Sequence, residues 1–158
     1  MSCRNCEEIE RIEAGEQEHA IARLAHGYLY LNASQYFRGA AFFLARRCVA
    51  ELHELEPAER QAHLMEMASV AAALQRAVGA RKMNYEALGN LVPHLHWWLT
   101  PRHADDPRPA APIWENLDFL RLLWTHANEL AGTDTLELRR RIIAELQSEP
   151  IALEVAYV

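Results

Sequence analysis

The chain has 158 residues, of which 51% are apolar, and it carries a formal net charge of −6 at pH 7. This length and apolar content suit one domain with a continuous core. The acidic balance and the lack of a basic run exclude a protein that holds a long nucleic acid by releasing its counterions. An anionic partner must therefore be a small molecule that is bound locally.

The N-terminal stretch MSCRNCEEIERIEAGEQEH is too acidic for a signal or transit peptide. The sequence also lacks an apolar run near the roughly 20 residues of a membrane span, so we expect no membrane partner and a cytoplasmic location. The chain has three cysteines, two of them in the pattern Cys3-x-x-Cys6. Three cysteines cannot all pair in disulfides, and the expected compartment is reducing. They indicate metal ligands or plain thiols rather than a disulfide framework.

The first predicted elements are two strands and a long helix. GYLYLN (27–32) and GAAFFLA (39–45) are aromatic and apolar runs joined by a polar connection, which predicts an antiparallel pair. Pro57 at a first helical position, an apolar helical repeat and Gly79 as a stop predict an amphipathic helix over 57–78.

A strand, a loop and a second strand are predicted next, in residues 81–88, 89–93 and 94–100. The following Pro-rich stretch, TPRHADDPRPAAPIW (100–114), is typical of an irregular crossing loop. Helical periodicity returns in WENLDFLRLLWTHANELAG, residues 114–132.

The end of the chain predicts one more helix and an apolar tail. Asp134 and Glu137 resemble a capping box, which opens a last helix running through Gln147. The tail IALEVAYV (151–158) predicts either an edge strand or a contact with a partner. Together these elements predict an α+β fold, in which an antiparallel sheet of about five strands packs against the long helix and further helices follow at the C-terminus.

The strand predicted at 94–100, HLHWWLT, is the one that carries candidate chemistry. Side chains alternate along a strand, so His94, His96 and Trp98 should share one face. Two adjacent imidazoles suit a metal or phosphate site, and the alternative is a pair of half-buried histidines bonded to the backbone.

The stretch NYEALGNLVPHLHWWLTPRHADDPRP (84–109) resembles the histidine-triad (HIT) superfamily, whose hallmark is His-φ-His-φ-His-φ-φ with φ apolar. Within that superfamily it is similar to the bacterial diadenosine-polyphosphate-hydrolase-like branch. The resemblance extends back through LNASQYFRGAAFFLARRCVAELHELEPAER and covers about residues 3–114. It implies a HIT-like nucleotide-binding domain over 1–114, with 115–158 as a helical extension packed on the same domain, and a homodimer.

The resemblance also implies a reaction. The middle histidine of the motif, His96, attacks the α-phosphorus of a nucleoside phosphate derivative and forms a nucleotidyl-imidazole that water hydrolyses. Dinucleoside polyphosphates and nucleoside phosphoramidates are the implied substrates. Splitting one displacement into two steps is the usual benefit of a covalent nucleophile. The attacking nitrogen must be neutral, so the other ring nitrogen should donate to a carbonyl or a similar acceptor.

Three asparagines match substrate contacts of the family. Asn32 falls where family members contact the ribose, Asn84 at a position that reaches the phosphate chain, and Asn90 in the phosphate-contact loop beside Gly89. The alternative for all three is bonding to backbone at a turn or a strand end.

Trp98 departs from the family pattern, because it stands where the third histidine is expected. That histidine positions a phosphate oxygen or the nucleophile, whereas indole has one donor and no acceptor. Either the enzyme tolerates a lost interaction, at a cost on the order of a hundredfold in rate, or Trp98 lines a repurposed pocket of a nucleotide-binding or interaction protein. Family branches with glutamine in this position keep nucleotidyltransferase activity, so the third histidine is not essential to the nucleophile.

Some family members bind a structural zinc through an N-terminal Cys-x-x-Cys, a histidine and the first histidine of the triad. Cys3, Cys6 and His94 match three of these ligands, and Cys48 replaces the fourth. Thiolate is as good a zinc ligand as imidazole, so the resemblance implies a closed structural Cys₃His site that leaves no position for water.

Overall fold

The computed structural model describes residues 3–125 and 135–158, which form one mixed sheet-and-helix domain. In this part of the chain the helices are α1 (Arg4–Glu13), α2 (Pro57–Val78), α3 (Leu117–Thr125) and α4 (Thr135–Leu146). The strands are β1 (Ala20–Leu24), β2 (Gly27–Leu31), β3 (Ala41–Ala45), β4 (Lys82–Glu86), β5 (His96–Arg102) and β6 (Leu153–Ala156). The strands make one antiparallel sheet in the order β4-β5-β3-β2-β1-β6.

The α+β prediction is confirmed, and the sheet has six strands where about five were expected. Strand β1 was not predicted from the sequence, because burial does not alternate between successive residues of AIARL. A strand that is buried on both faces lacks the alternation of apolar and polar residues that indicates a half-exposed strand. It also missed α1, whose sequence RNCEEIERIE is mostly charged. Ile12 and the partly buried Ile9 attach this helix to Ala20 and Tyr28 of the sheet.

One face of the sheet packs against α2, and α4 lies against α2 in turn. The predicted helix over 57–78 is confirmed to the residue, with Pro57 in its first turn. It ends at Gly79, which adopts φ +65°, a left-handed conformation that glycine takes without strain. The side chains that meet in this core include Leu29, Leu31, Phe43, Val70, Leu74, Leu99, Ile142 and Leu146.

A buried histidine joins α2 to the sheet on this side. His63 stacks on Phe43 with ring centroids 5.1 Å apart, and Nε1–H of Trp97 donates to its Nε2 at 3.0 Å. Its Nδ1–H donates to the backbone oxygen of His26 at 3.1 Å. Gly27 leaves room for the Phe43 ring, since a Cβ there would lie 2.2 Å from Cζ.

The opposite face of the sheet carries the candidate site. Register pairs Tyr30 with Phe42, Phe42 with Trp98, and Leu44 with His96, so all of these side chains lie on the face away from α2. The packing of α1 covers one part of this face. A second cluster, formed by Phe37, Ala40, Ile113 and Phe119 and here called the Phe37 cluster, covers another part and includes Trp98 at its border.

The predicted strand pair at 27–32 and 39–45 is confirmed as β2 and β3. The strand predicted at 94–100 begins two residues later, at His96, and ends two residues later, at Arg102, inside the predicted loop. Pro101 fits there because β3 pairs only as far as Leu99, so its missing N–H interrupts no ladder on that side.

The C-terminal elements agree with the predicted helices over the described residues. A 3₁₀ turn, Ile113–Glu115, precedes α3, and the rest of the helix predicted to 132 lies outside the described residues, as does the capping residue Asp134. The tail forms β6, an edge strand on β1. None of the helices in the described part of the chain is both long and apolar enough to span a bilayer.

Candidate functional site

His96 begins β5 and is half-buried on the site face. Its Nδ1–H donates to the backbone oxygen of His94 at 2.7 Å, a short and well-placed hydrogen bond. Because Nδ1 carries the proton, the lone pair of the neutral ring is on Nε2. The arrangement is the one expected of an imidazole held ready to act as a nucleophile or base.

His94 is held in the opposite tautomer. It is fully buried, and its Nε2–H donates to the backbone oxygen of Ala45 at 2.8 Å. Burial lowers the pKa of His94, so the ring is neutral near pH 7. The lone pair on Nδ1 therefore faces the sulfur atoms of Cys3 and Cys6, which lie 3.4 Å and 3.5 Å away.

Four side chains that suit a metal meet at this point. Nδ1 of His94 and the sulfur atoms of Cys3, Cys6 and Cys48 all lie within 4.8 Å of one another. Cys3 caps α1 and Cys6 lies in its first turn, while Cys48 follows β3, so three distant segments supply the group. The donor set and the free lone pair of His94 fit a tetrahedral zinc ion.

The thiols interact strongly with one another. Burial and hydrogen bonding with Cys48 and Cys3 raise the pKa of Cys6 to about 12. Burial also acts to raise the pKa of Cys3, but hydrogen bonds from the Cys6 backbone and thiol and from Cys48 outweigh it and lower that pKa overall. A divalent cation is the group that would stabilise all three close sulfur atoms as thiolates.

Asn5 lies between the two cysteines and reaches the histidine pair. It is buried, its Nδ2–H donates to the backbone oxygen of His94 at 3.5 Å, and Nδ2 lies 3.3 Å from Nδ1 of His96. The backbone oxygen of His94 therefore accepts hydrogen bonds from both the His96 imidazole and the Asn5 amide. The sequence analysis missed Asn5, because the middle of a Cys-x-x-Cys pair has no pattern that indicates this contact.

Trp98 shares the site face with His96, as the alternation predicted, and its indole packs onto aromatic side chains. Its ring stands edge-on to Phe42, with centroids 4.8 Å apart and planes at 84°, and it borders the Phe37 cluster. The Phe42 ring also lies 6.4 Å from the ring of His96, centroid to centroid. Trp98 is thus partly a packing residue, and it stays partly exposed two residues after His96 on the same face.

Glu86, the last residue of β4, pairs with Trp98 across the ladder and also lies on this face. Its Oε2 is buried and has no hydrogen-bond partner among the residues that the structure describes. Burial raises the pKa of the Glu86 carboxyl, and the positive charge of Arg102 offsets only part of that shift. The sequence analysis assigned no role to this residue, since a glutamate in a strand carries no motif of its own.

The three asparagines lie in different settings. Oδ1 of Asn32 accepts the backbone N–H of Ser34 at 2.9 Å, which is the turn bonding given as the alternative for this residue. Oδ1 of Asn84 accepts from Nη1 of Arg102 at 3.1 Å. Asn90 is exposed in the loop between β4 and β5, which returns to the histidines.

Arg102 organises the Pro-rich loop that follows β5. Its side chain is only 5% exposed and bonds Asp106 at 2.8 Å, Asn84, and the backbone oxygens of Arg108 and Ala111. The guanidinium also lies 5.1 Å from the ring centroid of Phe37. A buried arginine with these partners serves to hold the loop against the sheet.

Comparison with known proteins gives a consistent family. A model of the HIT domain matches residues 15–105 of the chain. A histidine triad protein from Sinorhizobium meliloti 1021 has a similar structure, with a TM-score of 0.61 and 26% identity over 88% of this chain and 93% of that one. No curated protein gives a match to the chain.

Two further solved structures share the fold. A histidine triad protein from Marinobacter aquaeolei VT8 aligns with a TM-score of 0.65 and 21% identity, over 88% of this chain and 94% of that one. A zinc-bound histidine triad family protein from Mycobacterium smegmatis aligns with a TM-score of 0.63 and 17% identity, over 94% and 95%. At these identities the likeness is one of fold.

Proposed function

Because the chain belongs to the HIT domain family, we propose that it hydrolyses or transfers at the α-phosphate of a nucleoside phosphate derivative, with His96 as the nucleophile. The hydrogen bond from Nδ1 of His96 to the backbone oxygen of His94 is the observation that carries this proposal. It fixes the tautomer that leaves Nε2 as the attacking atom. The acidic chain offers no basic run for a long nucleic acid, which supports a small nucleotide as the partner.

In the first step Nε2 of His96 attacks the α-phosphorus, a P–N bond forms, and the bond from phosphorus to the leaving group breaks. The ring gains positive charge as this happens. The backbone oxygen of His94 accepts from the other nitrogen and stabilises that charge, since a hydrogen bond to a charged group contributes about 1.5–3 kcal/mol. Water then attacks phosphorus, the P–N bond breaks, and neutral imidazole is restored.

A structural zinc ion bound by Cys3, Cys6, Cys48 and His94 is part of the proposal. The ligand atoms within 4.8 Å of one another and the tautomer of His94 support it, and so does the zinc-bound relative from Mycobacterium smegmatis. When bound, the ion joins the start of α1 to the strand of the nucleophile. The partly exposed thiols of Cys3 and Cys6 and the exposed thiol of Cys48 also suit the reducing cytoplasm, which remains our predicted location.

Substrate contacts are assigned by position. Asn32 is proposed at the ribose, Asn84 and the exposed Asn90 at the phosphates, and Trp98 at the border of the leaving-group side. Dinucleoside polyphosphates, as in the diadenosine-polyphosphate-hydrolase-like branch, and nucleoside phosphoramidates are the substrate classes. We also propose the homodimer expected of the family. We further propose that the chain divides into a nucleotide-binding domain at 1–114 and an extension at 115–158.

The test is release of AMP from a panel of diadenosine polyphosphates and adenosine phosphoramidates. The native protein should turn over at least one of them, and His96→Ala should lose at least on the order of 10³-fold in kcat. His53→Ala is the matched control, because His53 is exposed on the 3₁₀ turn before α2. Equal turnover by the native protein and His96→Ala would refute the assignment of the nucleophile.

A second candidate is a protein that binds nucleotides without turning them over. The aromatic packing of Trp98, in place of a third histidine, is the observation that favours it. In that case the native protein binds AMP, releases none from the panel, and gains turnover in Trp98→His.

A further inference from the structure

Glu86 places a carboxyl group beside the position of the missing third histidine. It lies directly opposite Trp98 in the ladder between β4 and β5. On one face of an antiparallel pair, opposite Cβ atoms are about 4.5–5.5 Å apart and diagonal ones about 7–8 Å. His96 is two residues before Trp98, so it is a diagonal neighbour of Glu86 on the same face.

The carboxyl group is incompletely satisfied in the protein alone. Within residues 3–125 and 135–158, Oε2 of Glu86 is buried and has no hydrogen-bond partner, which is costly and uncommon in a folded protein. The nearby guanidinium of Arg102 is already bonded to Asp106, Asn84 and two backbone oxygens. Protonation lowers the cost of leaving this oxygen without a donor, because a neutral carboxyl group is less costly to bury than a carboxylate.

The surroundings favour the protonated acid. Glu86 is half-buried opposite the indole of Trp98, and burial raises the pKa of its carboxyl group. A neutral carboxyl group has a proton to give, which a leaving group needs when its bond to phosphorus breaks. Indole has no titratable proton in this range, so Trp98 does not supply this function.

We propose that Glu86 is the general acid that protonates the leaving group of a nucleoside phosphoramidate. The inference rests on the proposed function of His96. In the first step Nε2 of His96 bonds to phosphorus, the P–N bond to the amine breaks, and Glu86 transfers its proton to the departing nitrogen.

The second step restores the acid. Water attacks the α-phosphorus, the bond from phosphorus to Nε2 of His96 breaks, and the proton released from that water passes to bulk solvent, from which the carboxylate of Glu86 is protonated again. The products are the free amine and the nucleoside monophosphate, and both side chains return to their starting states. An amine is a poor leaving group unless it is protonated, whereas a nitrophenolate leaves without help, so only the former depends on Glu86.

The experiment compares two adenosine substrates that differ in the leaving group, namely an adenosine 5′-phosphoramidate of a simple alkylamine and the 5′-p-nitrophenyl phosphate ester. In Glu86→Gln, kcat for the phosphoramidate should fall about 10²–10⁴-fold, while kcat for the ester should remain near the native value. Retained turnover of the ester also shows that the variant is folded. Glu59→Gln, a partly exposed position of α2 on the other face of the sheet, should leave both unchanged.

Equal losses on both substrates would make Glu86 a structural residue and overturn the inference, as would no loss on either. In both of these results the native protein is active, so the proposed function of His96 stands. If the native protein turns over neither substrate, the proposed function fails and the assignment of Glu86 fails with it.

Discussion

Replacing Arg102 by methionine should destabilise the protein severely. The change removes a charge pair whose side chains are only 5% and 7% exposed. It leaves the Asp106 carboxylate with the backbone N–H of His103 but without its charged donor, and it leaves the oxygen of Asn84 without the donor from Arg102. Breaking a buried pair by removing one partner costs about 3–5 kcal/mol. Methionine keeps much of the apolar stem, so most of the loss comes from the polar partners. Urea denaturation followed by intrinsic tryptophan fluorescence measures the change in free energy of unfolding.

Arg108→Met is the matched control, because Arg108 is in the same loop and also pairs with a carboxylate. Its pair with Glu115 is exposed, at 54% and 52%, and exposed pairs contribute about 0.2–1 kcal/mol. The reasoning is refuted if Arg102→Met lowers the free energy of unfolding no more than Arg108→Met does.

Three further predictions concern α1, the metal ligands and α2. Asn5→Ala should lower kcat about 10–100-fold with little change in KM, because the carbonyl of His94 loses a donor; steady-state kinetics measures this, and an unchanged kcat would remove Asn5 from the site. Native protein purified without chelators should contain one zinc per chain by elemental analysis, and Cys48→Ala should contain much less; a metal-free native protein contradicts the zinc proposal. Burial raises the pKa of Glu66 to about 7. Between about pH 4.5 and pH 7 the folded state therefore keeps a proton that the unfolded state has lost. The native protein loses stability as the pH rises through this range. In urea titrations, the free energy of unfolding of Glu66→Gln should therefore rise by about 3 kcal/mol relative to that of the native protein as the pH goes from about 4.5 to about 7.5. A difference between the two proteins that stays constant over this range would contradict that pKa.

The regular elements with strong patterns were predictable. The helix at 57–78 has a proline at its start, a glycine at its end and an apolar repeat, and each of these acts locally. The strand pair at 27–32 and 39–45 was predictable for the same reason. In contrast, β1 is enclosed on both sides by other strands and packs on two layers, so its sequence lacks the alternation that indicates a half-exposed strand.

The candidate site was predictable only where a motif carried it. The resemblance to the family predicted one set of zinc ligands from three segments, namely Cys3, Cys6, Cys48 and His94. The structure brings their ligand atoms together. Asn5 and Glu86 were missed, because their contacts depend on how α1 crosses the strand and on the register of β4 against β5. Tertiary placement of this kind leaves no local pattern in one sequence.

Trapping the covalent intermediate tests the central claim most directly. Native protein mixed with an adenosine 5′-phosphoramidate, quenched within one turnover and digested, should yield a peptide containing residues 94–100 with an AMP group on His96. The same peptide from His96→Ala should be unmodified. Turnover of the substrate by the native protein without this adduct, or with an AMP group on another residue, would contradict nucleophilic attack by His96.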